Sequence, residues 1–109
     1  MLYWRKRVKN LYQQRDPQEW QQFLTLLNAA VMENKTDELL TMLLTADERN
    51  ALGLRLQIVR VLLENRLPQR EIQQQLNTSA ATITRGSNML KTVDPEALKW
   101  VSEKLDVNF

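Results

Sequence analysis

The run from Leu67 to Lys91, LPQREIQQQLNTSAATITRGSNMLK, constrains the fold more than any other part of the chain. Pro68 opens a short helix that ends near Leu76, with Ile72 and Leu76 as its inward pair. Asn77-Thr78 supplies a tight polar turn, and Ser79 stands as the cap of a second helix reaching about Lys91. That second helix is rich in small and hydroxylated residues. Two short helices around such a turn form a helix-turn-helix, whose second helix lies in a DNA major groove with its N-terminal residues against the base edges.

The other helices are marked by their starts. Asp16-Pro17-Gln18-Glu19 combines a capping Asp, a Pro at the first helical position and a Glu at the third. Trp20, Phe23, Leu24, Leu27, Ala30 and Val31 follow at helical spacing, which predicts a helix to about Glu33 with a broad core stripe. Thr36-Asp37-Glu38 opens a short helix over 37–43. Thr45-Ala46-Asp47-Glu48 is a capping box for a long helix over 46–64, with Leu52, Leu56, Val59 and Leu63 as its apolar face, widened by Ile58 and Leu62. Asp94-Pro95-Glu96 repeats the Asp-Pro start, and Leu98, Val101 and Leu105 give the last helix an inner face beside Trp100. With no alternation of strand type longer than four residues, an all-α domain is expected over 16–109. Residues 1–15 show no clear period and form a basic arm expected to be flexible. Its Tyr3, Trp4 and cations suit either nonspecific DNA contact or a solvated tail.

Composition removes several function classes. Among 109 residues there is no cysteine and no histidine. Disulfides, thiolate chemistry and the usual neutral-pH general base are therefore excluded, a zinc site would need carboxylates alone, and an enzyme is not expected. No apolar run reaches the length of a membrane span, and no apolar segment follows the N-terminal charges as a secretory signal requires, so a cytoplasmic protein is expected. The net charge of +2 hides an uneven distribution. Residues 1–15 hold five bases and no acid, and 16–54 hold seven acids against Lys35 and Arg49. Residues 55–91 hold six bases against Glu64 and Glu71. The basic half contains the helix-turn-helix, as contact with phosphate requires.

Both glycines, Gly53 and Gly86, fall inside expected helices, where each costs roughly 1 kcal/mol relative to alanine. For Gly53, helix packing and close approach of another group are equally good explanations. For Gly86, next to Arg85, a ligand is favoured. Arg55 and Arg85 suit two readings. A planar guanidinium can flank a flat ring while bonding a carboxylate, or it can serve as surface or phosphate-contacting charge.

The run LLTADERNALGLRLQIVRVLL, followed by PQREIQQQL and ATITRGSNMLK, closely resembles the bacterial tryptophan-operon repressor family. The similarity runs from about Trp20 to Leu105, is strongest over 43–91, and includes the specific signature ATITRGSN. The resemblance implies a six-helix chain in an intertwined homodimer, with two reading heads at opposite ends and one L-tryptophan corepressor per chain. It implies that Arg55 and Arg85 hold the indole between them, with Arg85 also facing the carboxylate and Gly86 leaving room beside the ring. Thr45 and the carbonyls near Met42 and Leu44, from the other chain, would hold the amino acid's polar end. Met89 departs from the pattern, standing where a serine often helps to bind the ammonium group, and a thioether accepts only weakly.

For DNA, the resemblance implies Arg70 as the direct guanine reader, bidentate to O6 and N7. Ala80, Ala81, Thr82 and Thr84 would bring the helix backbone close to the bases, with Gln69, Ser79 and Lys91 on phosphates. Pro68 replaces a capping serine, costing a cap but not the helix start. The function expected is a tryptophan-dependent repressor bound to a palindromic operator. Its rivals are a regulator of the same fold with altered or no effector, and a DNA-binding or protein-interaction module without ligand gating.

Overall fold

The computed structural model describes residues 15–106, which form six α-helices and no strand. The basic arm expected over 1–15 lies outside the described residues except for Arg15. Arg15 donates to both carboxylate oxygens of Glu19, at 2.7 and 3.0 Å, and so holds that exposed carboxyl below its ordinary range. Among the described residues no helix is long and apolar enough to cross a membrane, and no acidic cluster could hold a metal ion.

The chain divides into two compact units between Leu44 and Thr45. The first contains α1 (Pro17–Met32) and α2 (Thr36–Leu43). Asp16 caps α1 by accepting from the Gln18 amide at 2.9 Å, with Pro17 behind it as its sequence position requires. Among the described residues of this unit only Ala30 and Leu39 are buried, while Phe23, Leu24 and Leu27 are half-buried. Trp20 and Val31, expected in the core, are 59% and 56% exposed. The physical reason is scale: one eight-residue helix cannot cover a stripe as broad as that on α1.

The second unit contains α3 (Ala46–Glu64), α4 (Gln69–Leu76), α5 (Ala80–Leu90) and α6 (Pro95–Lys104). The capping box of α3 is complete, with the Glu48 amide donating to Thr45 Oγ1 at 3.1 Å and the Thr45 amide to Glu48 Oε1 at 2.8 Å. Val61, Ile72 and Ile83, one from each of α3, α4 and α5, form the core, with Leu62, Leu67 and Leu76 packed against it. Each such side chain contributes about 1.5–3 kcal/mol when fully buried. The inward pair expected on α4 is thus found. The face expected on α3 is displaced: Ile58, Val61 and Leu63 are buried, whereas Leu52 and Leu56 are 47% and 45% exposed. Because α3 is apolar around much of its circumference, α4 and α5 take only one side of it.

α3 and α4 end on asparagines in the left-handed conformation, Asn65 (φ 53°) and Asn77 (φ 52°). An asparagine side chain tolerates this region, while a bulky or β-branched one clashes. At Asn77 the backbone reverses between α4 and α5, and the Thr78 amide bonds the Gln73 carbonyl at 3.1 Å. Asn77→Val is therefore expected to lose about 1–2 kcal/mol of stability, and Asn77→Gly to lose little or nothing. Urea unfolding at fixed protein concentration checks this as a lowered midpoint with unchanged slope for valine alone.

Candidate nucleic-acid interface and its adjoining cleft

α4 and α5 form the helix-turn-helix that the sequence anticipates. Ser79 caps α5: its hydroxyl accepts from the Thr82 amide at 3.1 Å and lies 2.9 Å from Thr82 Oγ1. Ala80, Ala81 and Thr84 are exposed and Thr82 is half-buried, so the start of α5 presents short side chains and accessible backbone. Arg70, on the first turn of α4, and Lys91, at the C-cap of α5, are exposed as well. Arg55, Arg70, Arg85 and Lys91 have no ion-pair partner among the described residues, which leaves their charge free for an anion. Pro68 stands at the N-cap of α4 without a side-chain bond, yet its carbonyl accepts from Glu71 and Ile72 and the helix starts normally. The amide nitrogen of Gln69, a residue expected at a phosphate, is engaged within the head, 3.3 Å from the Ala80 carbonyl and 3.3 Å from Thr84 Oγ1.

A cleft of 420 Å³ opens between α3 and α5, within the range of about 300–1,000 Å³ usual for small-molecule sites. Helical spacing builds its two walls. Ala51, Leu54, Arg55, Ile58 and Val59 share one face of α3, and Thr82, Arg85, Gly86, Met89 and Leu90 share one face of α5, with Val93 beyond. The lining offers two guanidinium groups and one hydroxyl against an apolar floor, with no acid among these residues. Such a set suits a flat apolar body carrying a carboxylate.

The structure thus brings together Arg55, Arg85 and Gly86, three of the residues expected at the ligand. Met42 and Leu44 belong to the first unit, where Met42 is 78% exposed and Leu44 caps the end of α2. Thr45 caps α3, and its hydroxyl proton remains free after the oxygen has accepted from Glu48. Leu54, Leu90 and Val93 were missed by sequence reasoning. Counting three and four residues on either side of each arginine finds Ala51, Ile58, Val59, Thr82 and Met89 of the lining but not these three.

Gly86 has a packing reason that the sequence did not disclose. A Cβ there would stand 2.9 Å from Ile58 Cγ2, so this methyl fills the space beside the glycine. Gly53, by contrast, has open space where a Cβ would stand. The Ile58 methyl is branched at Cβ and stiff, so it cannot swing aside. Gly86→Ala is expected to destabilise the fold by about 1–3 kcal/mol through overpacking. Adding Ile58→Leu, which removes the offending branch, should recover most of that loss. Thermal and urea unfolding of the four proteins in a double-mutant cycle would show the coupling; additive losses would exclude it.

Comparison with known proteins identifies the family. The family described as Trp repressor protein matches residues 18–105. The Trp operon repressor homolog of Haemophilus influenzae (strain PittEE) is 59% identical over 97 residues, covering 89% of this chain and 96% of its own length. Those of Pasteurella multocida (strain Pm70) and Actinobacillus succinogenes are 57% and 58% identical over 96 residues, covering 88% of this chain and 94% and 95% of their own lengths. The family is one of DNA-binding regulators and not of enzymes. With its helix-turn-helix and this extent of identity, the chain belongs to the Trp repressor family.

Proposed function

We propose that this chain is a tryptophan-dependent transcriptional repressor that binds a palindromic operator as a homodimer. One observation carries the reading: Thr82 and Arg85 belong both to the cleft and to the helix that reads DNA. A ligand held in the cleft therefore touches the reading helix itself. In this proposal the guanidinium groups of Arg55 and Arg85 flank the indole, and Arg85 also meets the carboxylate. Thr45 and the carbonyls near Met42 and Leu44 of a second copy receive the ammonium group. Arg70 reads guanine; Ala80, Ala81, Thr82 and Thr84 lie against the bases; Ser79 and Lys91 lie against phosphates.

The homodimer is supported by what one chain leaves uncovered. Leu26, Val31, Met32, Leu43, Leu52 and Leu56 are each at least 45% exposed, a large apolar surface for a chain of this size. An intertwined pair would bury it. The two heads would then fit successive major grooves about 34 Å apart, a spacing that belongs to helix-turn-helix dimers as a class, Trp repressors included. Such a protein acts in the cytoplasm, where its operator is.

A second reading is favoured by Met89, whose thioether lines the cleft and offers only a weak acceptor. It is the same fold answering to a different effector. Isothermal titration with L-tryptophan separates the two: heat with saturation supports the first, and no heat at millimolar ligand rejects it. A gel shift on a palindromic operator should show retardation that depends on tryptophan, and equal retardation of unrelated duplex would reject the repressor. Arg85→Ala should abolish the tryptophan response while the dimer persists in size-exclusion chromatography. Arg70→Ala should cost roughly 1–3 kcal/mol on the operator and much less on random duplex, read by fluorescence anisotropy.

A further inference from the structure

Gln69 opens α4, and its side chain reaches the first turns of α5. Nε2 lies 3.3 Å from the Ala80 carbonyl oxygen and 3.3 Å from Thr84 Oγ1. Chemistry fixes the orientation of this amide. A carbonyl oxygen can only accept, so the end of the amide facing Ala80 must be the NH₂ group. That group carries two hydrogens. One goes to Ala80, and the other is directed at the hydroxyl oxygen of Thr84.

The consequence falls on Thr84, which is exposed on the reading helix. Its oxygen accepts from Gln69, and its own proton remains available to a third partner. A threonine within a helix commonly donates that proton back to the preceding turn. Thr25 does so, donating to the Gln21 carbonyl at 2.9 Å. Among the described hydrogen bonds Thr84 has no such back-bond, and the corresponding carbonyl, Ala80, is the one that receives Gln69.

We propose that Gln69 is a positioning residue that sets the polarity of Thr84, presenting its hydroxyl to the operator as a hydrogen-bond donor. The inference rests on the DNA-reading function proposed above and deepens it. A donor at this place addresses purine N7, guanine O6 or thymine O4, whereas an amino group of adenine or cytosine would have to share the Thr84 oxygen with Gln69. It also reassigns Gln69. With both amide hydrogens engaged, the side chain has only its carbonyl oxygen to offer, and an acceptor does not bind phosphate.

The test is selection of duplexes from a randomised pool by the full chain with L-tryptophan, followed by anisotropy on the selected and unrelated duplexes. Gln69→Met, of similar length without donors, and Thr84→Val are expected to relax preference at the same base pair of each half-site. The expected relaxation is on the order of fivefold, as for one hydrogen bond. Bases newly tolerated by Gln69→Met should be those offering an amino hydrogen, while Thr84→Ser keeps the original preference. Binding to the selected duplex should fall more than binding to unrelated duplex.

Gln69→Met overturns the inference if it weakens selected and unrelated duplexes equally, keeps the wild-type preference, or relaxes a different base pair from Thr84→Val. If circular dichroism shows that Gln69→Met does not fold, Gln69→Leu takes its place under the same criteria. A wild-type chain that enriches no sequence overturns the DNA-reading function, and this inference with it. An enriched wild-type motif that survives Thr84→Val unchanged overturns the inference alone.

Discussion

At Gly86 the backbone of α5 comes so close to α3 that one methyl of Ile58 occupies the space where a side chain would begin. Ile58 is the most deeply buried large side chain described, at 1% exposure, and its branch at Cβ gives it little freedom to retreat. Arg85 directly precedes Gly86, and Arg55 lies three residues before Ile58 on the same face of α3. Both guanidinium groups thus stand beside the point where the two helices touch. One turn further along α3, Val61 meets Ile72 and Ile83, which ties α4 into the same block. Packing, more than loop geometry, holds the cleft and the reading helix in register.

The remainder of the chain shows the opposite condition. Among the described residues of the first unit only Ala30 and Leu39 are buried, and α3 leaves Leu52 and Leu56 partly in water on the side that α4 and α5 do not take. The fraction of surface that a chain buries on folding falls with its size, so an apolar face left in water weighs more on a small chain. A second copy, as in the proposed homodimer, would supply the missing cover. The same surface that lowers the stability of a single chain would then form the frame on which two heads are spaced.

Local signals made the helices legible. Asp16-Pro17, Thr45 with Glu48, Ser79 and Asp94-Pro95 each announced a start, and each is found capping a helix. The burial pattern was less legible. Periodicity marks which residues are apolar but not which partner covers them, so Trp20, Val31, Leu52 and Leu56 were assigned to a core that one chain does not provide. At the candidate site, Arg55, Arg85 and Gly86 were drawn together by resemblance, and all three line one cleft. The reason for Gly86 lay in Ile58, 28 positions earlier in the chain, and no local pattern could show it. Gln69 was hidden similarly, because a glutamine at a helix start suits a phosphate as well as a neighbouring helix.

The contact and the cleft coexist, and this bears on how a ligand would gate DNA binding. A ligand of suitable size has room between α3 and α5 while Ile58 and Gly86 remain in contact, so binding need not part the helices. A ligand shifts an equilibrium only through contacts that differ between the two states. If α5 is fixed against α3, the differing contacts must lie at the cleft's edge, where Arg85 and Thr82 meet the ligand and where the second copy would bring Thr45. In the proposed repressor, gating would then concern the orientation of the whole head, with α4 and α5 moving as one block. Because such coupling is reciprocal, operator binding must tighten the ligand by the same factor that the ligand tightens the operator. In the proposed repressor the Ile58–Gly86 contact would make that exchange efficient: a head that yielded internally would absorb the ligand's binding energy before it reached the DNA.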